Sequence, residues 1–480
     1  MNKSRVVEVA LLLLILAAST IQFLYWDQKF TDNELAINGK GYVSDEVWYV
    51  ASARNILVKV FHLNPREVGY YGYTIIYEGV LDRSRVEEIA SLYGVKLRFD
   101  YSKLNGFYAY SSNASSLNLF LSRLREIANV SDVVPGWMMP DASGINNYLN
   151  LEHPPLAKYV IALIMATVGD YPFYWRLGSI VAGTLLVLFT YLIARRLLNS
   201  APAALASASL LAADPLVRNL SSIALLDVYV ALFTVISFYL ALDKRFKLSV
   251  LAVLVGSLFK FNTLFALIPV SLLYAREKLK GRYSLLDLTA VVLGFYIASG
   301  LGFLLTQMVA GIPLIGYLGF TSWFKQSITG AIAWHTQIKC LGNACPTSSA
   351  PWDWFTGVNS FTLYYFPGGL SVTASGFWPL WCFALVATII FLPSYLKGNK
   401  AFAHSTCWLL GVLSGYILLW IIGGRTQYSF YAVQLAPLVY SSLTVILATF
   451  NYDRVVEVLE SWKHLFTRIN RAVGMLLLLE

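Results

Sequence analysis

Val7-Glu-Val-Ala-Leu-Leu-Leu-Leu-Ile-Leu-Ala-Ala-Ser-Thr-Ile-Gln-Phe-Leu-Tyr-Trp26 is an apolar run of the length that crosses a bilayer, about 20 residues. Lys3 and Arg5 precede it and Phe23, Tyr25 and Trp26 close it, the flanks of an uncleaved anchor entering from the cytoplasmic side. Outward from it, apolar runs recur at about 173–196, 201–213, 222–242, 248–259, 262–275, 286–309, 377–396, 404–423 and 427–449. The 480 residues are 57% hydrophobic and 13% charged, where soluble domains carry about 25% charged residues. The pattern predicts an all-α polytopic membrane protein with about 10 transmembrane helices, or 11 if the apolar stretch 155–168 also crosses. A crossing there would put Arg195-Arg196 outside, against the charge bias, so 155–168 is read as interfacial or re-entrant.

The net charge of +9 does not point to nucleic acid. The basic residues cluster in short loops between apolar runs: Arg195-Arg196; Lys244, Arg245 and Lys247; Arg276, Lys278, Lys280 and Arg282; Lys397 and Lys400. That is the positive-inside pattern of a multi-pass protein. Zinc and P-loop motifs are absent from the sequence. Cys340 and Cys345 lie five apart in a polar loop expected outside, a candidate disulfide; Cys382 and Cys407 fall in apolar runs and read as packing residues.

The chain divides into a first helix and acidic loop (1–59), an external insert (60–148), a core transmembrane module (149–310), a second external loop (311–375), C-terminal transmembrane helices (376–450) and an amphipathic tail (451–480). Within the insert, 73–78 reads as a strand and 83–93 as a helix. A hairpin follows over 96–101 and 106–111, then a helix over 116–127 and a strand over 132–135. The order β-α-β-β-α-β predicts a small α+β, ferredoxin-like unit.

The chemistry-bearing residues fall on the outer side. Asp45-Glu46 sits just past the first span, either a site that handles protons or a solvated pair opening a helix. Glu152-His153 precedes a Pro-Pro helix start, with His153 a helix cap or a ligand residue. Arg176 reads as a phosphate ligand or an interface anchor, and Lys260 as a buried functional cation or a snorkelling one. Short spans joined by Asp214, Arg218, Lys260 and Asn262 predict a funnel-shaped cavity. Asp227, inside a span, needs a polar reason to be there. Trp352, Trp354, Tyr428 and Tyr431 suit an interface belt, internal packing or sugar stacking. Acids and arginines converging on one membrane face suit a reaction on a lipid-carried phosphate, because arginine grips phosphate in a fork and a carboxylate can deprotonate a hydroxyl. A transporter would show inverted halves and paired broken helices, and neither is visible in the sequence.

Six stretches occur in order: Asp45-Glu-Val-Trp-Tyr-Val-Ala-Ser-Ala-Arg54, Glu152-His-Pro-Pro-Leu-Ala-Lys158, Gly169-Asp-Tyr-Pro-Phe-Tyr-Trp-Arg176, Ala224-Leu-Leu-Asp227, Ser348-Ser-Ala-Pro-Trp352-Asp-Trp354 and Arg425-Thr-Gln-Tyr428-Ser-Phe-Tyr431. Together they resemble the dolichyl-phosphate-mannose protein O-mannosyltransferase family of GT-C membrane glycosyltransferases, in a prokaryotic, archaeal-like form. The more distant bacterial lipid A aminoarabinose transferases share the layout. The resemblance implies an inverting transferase in the cell membrane, its site facing outside, that moves a hexose such as mannose from a polyprenyl or dolichyl phosphate to protein Ser/Thr hydroxyls. Asp45 would be the base and Glu46 would position it or the acceptor. His153, Arg176, Arg425, Lys260 and Tyr428 would hold the donor, with Glu152, Asp227, Trp352 and Trp354 structural or orienting. No metal or other cofactor is expected, since arginines can stabilise the leaving phosphate. The family's arginine five residues before Asp227 is Ser222 here, with Arg218 as a candidate substitute, and its His-Pro-Tyr reads Cys345-Pro346-Thr347. These departures bear on the acceptor more than on the donor. The alternatives are a glycan or lipid acceptor with the same donor, and a membrane transporter or sensor.

Overall fold

A computed structural model describes residues 3–280, 283–340, 345, 347–393 and 398–477. Arg282 and Lys397 of the basic loops, and Pro346, lie outside the described residues. Helix α1 (Lys3–Ile37) is longer than the apolar run at its start, because Asp27, Thr31 and Glu34 continue its buried face into polar contacts. Helix α2 (Glu46–Asn55) follows and carries the acidic pair at its start.

The segment after α2 folds as β1 (Tyr71–Glu78), α3 (Arg83–Leu92), β2 (Lys96–Arg98), β3 (Gly106–Ser111), α4 (Ala114–Ile127) and β4 (Asn129–Pro135). The sheet order is β2-β3-β1-β4 with every pairing antiparallel. Alternation along β1 explains its two covered faces. Ile75 packs with Val86, Phe107, Phe120 and Leu124 under α3 and α4. Ile76 points the other way, with Val134 and Met139 against Ala51 of α2. The small unit is therefore seated on the helix that begins with the acidic pair. Its exit passes through Gly136, whose φ of +108° and whose approach to Asp170 both exclude a side chain; a Cβ there would lie 2.3 Å from Asp170 Oδ2.

The remaining helices are α5 (Leu156–Thr167), α6 (Pro172–Trp175), α7 (Leu177–Leu198), α8 (Ala201–Ala213), α9 (Pro215–Ser221), α10 (Asp227–Leu242), α11 (Phe246–Ser257), α12 (Leu267–Lys278), α13 (Leu285–Leu318), α14 (Phe320–Phe324), α15 (Ala331–Thr336), α16 (Trp378–Ile390), α17 (Lys400–Ile422), α18 (Ala436–Thr449) and α19 (Tyr452–Leu477). A short hairpin, β5 (Thr362–Tyr365) and β6 (Ser371–Thr373), precedes α16. Among the described residues, four helical segments are long and apolar enough to cross a membrane, Lys3–Ile37, Pro172–Leu198, Leu285–Leu318 and Lys400–Ile422. Leu13, Leu14, Leu293, Leu301, Leu305 and Ile312 are each more than half exposed, a surface that only lipid tails can cover at this extent. The chain is an integral membrane protein. With 12 residues α5 is about 18 Å long, too short to cross by itself.

Several segments begin differently from their sequence reading. The 262–275 and 427–449 runs open as 3-10 turns, Phe261–Ala266 and Ser429–Gln434, which bring Lys260 and Tyr428 to their entrances. Helix α10 starts at Asp227, so this acid lies at a helix N-terminus, where the dipole favours it. Asp214 does not face a funnel. It caps α9 and accepts bonds from Trp381 Nε1 at 2.9 Å and Tyr440 OH at 2.6 Å, tying α16 and α18 together. The loop expected over 311–375 is largely structured: α13 runs on to Leu318, and α14 and α15 follow.

Two buried arginine clusters hold α1, α2 and the α6–α7 junction. Arg54 grips Asp170 through Nε at 2.7 Å and Nη2 at 2.8 Å, and Asp170 also receives the Trp175 indole N–H at 2.7 Å. Arg176 grips Glu46 through Nε and Nη2, both at 2.7 Å, and donates through Nη1 to Asp27 at 3.0 Å and Thr31 at 2.8 Å. Removing one partner of such a pair strands a charge in the interior, a loss of about 3–5 kcal/mol. Arg176→Met and Glu46→Gln are each expected to lower stability by that order, read as a fall in the thermal unfolding temperature of detergent-purified protein.

Candidate active site

Next to one another in sequence, Asp45 and Glu46 have opposite surroundings. Both Glu46 oxygens are spent: Oε1 accepts from Arg176 and from the Ala224 N–H at 2.7 Å, Oε2 from Arg176 and from the Val43 N–H at 2.8 Å. Asp45 stands at the N-terminus of α2 yet its carboxyl caps nothing, and no described residue donates to it. The residue before it, Ser44, adopts φ +52°, a left-handed conformation uncommon for a non-glycine residue and found where the surroundings impose it. The Glu46 clamp supplies that constraint, and Asp45 is left facing a cavity.

The cavity measures about 410 Å³. Asp45, Trp48 and Tyr49 of the α2 region form one wall, and Tyr148, Asn150, Glu152 and His153 a second. Lys260, Trp334, His335, Lys339 and the aromatic run Tyr428, Phe430 and Tyr431 complete it. The second wall is a preorganised turn. Asn150, at φ +50°, bonds Tyr148 OH at 2.8 Å and Glu152 Oε1 at 3.0 Å through its amide. Tyr148 OH donates to the same Glu152 oxygen. Buried Lys158 donates to the Asn150 carbonyl and, at 2.7 Å, to that of His153.

Two ammonium groups reach the cavity. Lys260 Nζ donates to Asp227 Oδ1 at 2.8 Å and lies 4.0 Å from the Tyr431 ring centroid. Lys339 Nζ lies 3.7 Å from the Trp334 ring centroid, a cation–π contact that leaves its three donors free. Its backbone is pinned, because the N–H groups of Lys339 and Cys340 both donate to Thr426 Oγ1, at 2.9 and 3.2 Å. Cys340 is disulfide-bonded to Cys345.

Burial pushes the Asp45 carboxyl up to about 6, with Lys260 opposing and Asp227 adding to the rise. Burial pulls Lys339 down to about 8, opposed by Glu152 and reinforced by Lys260. Burial also holds His153 well below the usual imidazole range and His335 at about 4, the nearby lysines adding to both. Their rings pack 5.1 Å apart and are neutral at pH 7. The cavity thus holds a carboxyl poised near neutrality, two cations and two neutral imidazoles.

The structure brings Asp45, Glu152, His153, Lys260 and Tyr428 to this cavity. It does not bring the others. Arg176 is wholly buried, its five N–H groups taken up by Glu46, Asp27, Thr31 and Gly41, so none remains for a phosphate. Glu46 does not line the cavity; it acts on Asp45 only through the backbone that its clamp holds. Arg425 is exposed and does not line it. Arg218 lies over Trp26 at 4.3 Å, also outside it. Trp352 is exposed against Trp420, and Trp354 is buried against Tyr416 with its N–H on Ser349 Oγ at 2.8 Å. Sequence reasoning missed His335 and Lys339. The available signal was an imidazole and an ammonium four residues apart, beside the candidate disulfide.

Residues 152–293 match the family described as dolichyl-phosphate-mannose-protein mannosyltransferase, and the family resemblance read from the motifs holds over that segment. The chain is 29% identical over 136 residues to the polyprenol-phosphate-mannose–protein mannosyltransferase of Corynebacterium glutamicum, a match covering 28% of this chain and 26% of that protein. It therefore spans about a quarter of the length of the curated relative. The crystal structure of ArnT from Cupriavidus metallidurans bound to undecaprenyl phosphate aligns at 16% identity with a TM-score of 0.39, covering 68% of this chain and 54% of that one.

Because the Asp45 carboxyl supports no structural contact, Asp45→Asn is expected to leave the thermal unfolding temperature unchanged or slightly raised, within about 0.5 kcal/mol of stability. The same measurement on Glu46→Gln separates the two neighbouring acids.

Proposed function

We propose that the chain is an inverting GT-C-type glycosyltransferase that moves a hexose, mannose on the family's description, from a polyprenyl phosphate carrier to Ser/Thr hydroxyls of proteins. The reaction takes place at the outer face of the cell membrane. The observation that carries this reading is an unpartnered carboxyl, raised toward neutrality, sharing one cavity with two ammonium groups. Asp45 takes the proton from the acceptor hydroxyl; the oxygen attacks the anomeric carbon; the bond from that carbon to the phosphate oxygen breaks; and polyprenyl phosphate leaves with the bonding electrons. The charge that develops on the phosphate is met by Lys260 and Lys339, a fixed electrostatic stabilisation that acts where charge appears. Asp227 holds Lys260 in place, and neutral His153 hydrogen-bonds the donor headgroup. With two side-chain cations on the phosphate the step needs no divalent metal, so a chelator leaves the rate unchanged.

A second reading keeps the donor and replaces the protein by a glycan or lipid acceptor. The exposed Trp48 and Trp334 rings at the cavity rim favour it, since either can stack on a sugar. Supplying a Ser/Thr peptide, a glycan and a lipid alcohol in parallel to the purified protein decides between them.

Transfer from labelled polyprenyl-phosphate mannose is the test. Asp45→Asn is expected to lower it by about 10²–10⁴-fold, the range for a lost general base, with donor still bound. Retained transfer overturns the assignment. The pH profile follows from the same groups: Asp45 must be deprotonated and Lys339 protonated, so kcat/KM rises through about pH 6 and falls through about pH 8. Lys339→Gln should remove the alkaline limb and raise KM for the donor.

A further inference from the structure

Helices α11, α12 and α13 enclose a second cavity, of about 570 Å³, at the opposite end of α11 from Lys260. The 12 residues of α11 separate the two by about 18 Å. We propose that this groove binds an anionic glycerophospholipid, its acyl chain in the groove and its phosphate between Lys247 and Lys278.

The groove is open because one face of α13 is stripped of bulk. Ala290, Gly294 and Ala298 recur at every fourth residue and so lie on one face. A Cβ built on Gly294 meets nothing within 4 Å. The opposite wall is aromatic: Tyr274 packs edge-on against Phe246 at 5.6 Å and at the same distance, tilted, against Phe295. The void follows α13 from Ala290 to Ser299, about 14 Å, and the helix on either side is exposed as lipid-facing helices are. An apolar slot of this length takes a hydrocarbon chain.

Its mouth selects charge. Lys247 and Lys278 both line it, with Lys278 Nζ 5.8 Å from the Tyr274 ring centroid. The nearby acids are committed elsewhere: Glu277 pairs with Lys244 at 2.8 Å and with Lys280 at 2.7 Å, Asp243 with Arg196 at 2.6 Å, and Asp287, at the start of α13, takes the Ser284 hydroxyl at 2.7 Å and N–H at 2.9 Å in a capping box. Among the described residues neither Lys247 nor Lys278 has a carboxylate within 4 Å. One ammonium suffices for the phosphate of a zwitterionic lipid, whose own amine would meet the second. Two uncompensated ammonium groups favour a headgroup of net negative charge, in the manner of basic pockets between membrane helices. The polyprenyl phosphate carrier shares the phosphate but has to reach the Asp45 cavity at the far end of α11, so the groove is assigned to a bilayer phospholipid.

The test uses the full-length protein in detergent with photoactivatable phosphatidylglycerol or phosphatidylcholine, mapping labelled peptides. Label is expected on the peptides spanning 246–299, favouring phosphatidylglycerol by about thirtyfold, the factor for two lysine contacts. The pair Lys247→Gln and Lys278→Gln should erase that preference. Gly294→Leu, which fills the slot and leaves the lysines, should abolish labelling by both lipids. Equal labelling by the two lipids overturns the proposal, as does labelling indifferent to either variant. Competition by undecaprenyl phosphate stronger than by unlabelled phosphatidylglycerol, measured on the wild-type protein, also overturns it and assigns the groove to the carrier. None of these readouts depends on sugar transfer, so the lipid site and the transferase reading stand or fall separately.

Discussion

The Arg176–Glu46 pair is the contact on which the rest of the architecture leans. A guanidinium and a carboxylate removed from water are each costly, and their attraction offsets that only when every donor and acceptor is engaged. Here they are. The forked geometry of arginine matches the two Glu46 oxygens, and the remaining donors reach Asp27 and Thr31 on α1 and the Gly41 carbonyl in the following loop. The remaining lone pairs of Glu46 take the backbone of Val43 and of Ala224. Four separate pieces of chain, 27–31, 41–46, Arg176 and Ala224, meet at one point. A lysine could not do this, because a point charge on a flexible stem cannot fix a carboxylate in two directions.

The consequence for the site is a division of labour between adjacent acids. Glu46 is satisfied by its partners, which frees Asp45 from any structural task and turns it out of the packed interior. A carboxyl raised toward neutrality needs partial burial without a hydrogen-bond donor or a tight cation, and that is what Asp45 has. Environment separates the roles of two chemically similar groups, as it does wherever paired carboxyls perform different work. The left-handed Ser44 is the backbone cost of the arrangement, borne by the contacts around Glu46.

Much of this was legible beforehand. Apolar runs of crossing length and basic loops set the membrane class, and alternation in 73–78 with helical spacing in 83–93 set the element order of the insert. Asp45, Glu152, His153, Lys260 and Tyr428 were legible as one constellation because each is a polar group interrupting or flanking an apolar run. The arginines were misread for a physical reason. An arginine beside an apolar segment suits an internal carboxylate as well as a ligand's phosphate, and choosing between them requires knowing that Asp27 and Glu46 fold back onto Arg176 from 149 and 130 residues away. His335 and Lys339 escaped because they belong to no motif. They enter the cavity through a tertiary contact, the Thr426 hydroxyl holding the Lys339 backbone.

The exchange of arginine for lysine at the cavity fits the proposed chemistry better than the arrangement read from the sequence. A guanidinium held at both ends by carboxylates makes a strong strut and a poor ligand, since every donor it offers a phosphate must first leave a buried partner. An ammonium packed on an aromatic face gives up little when a phosphate arrives, because the ring satisfies none of its donors. Lys339 is in that position over Trp334, and Lys260 spends one donor on Asp227 while Tyr431 covers its flank. The burial that lowers the Lys339 pKa also reports an unmet charge. An arriving phosphodiester, with a single negative charge, relieves it in part, and the second charge appears only as the bond to the sugar breaks. A leaving group that gains negative charge during the reaction is then drawn toward groups whose own stability improves as it does so, which is the differential binding that a transferase of this kind requires.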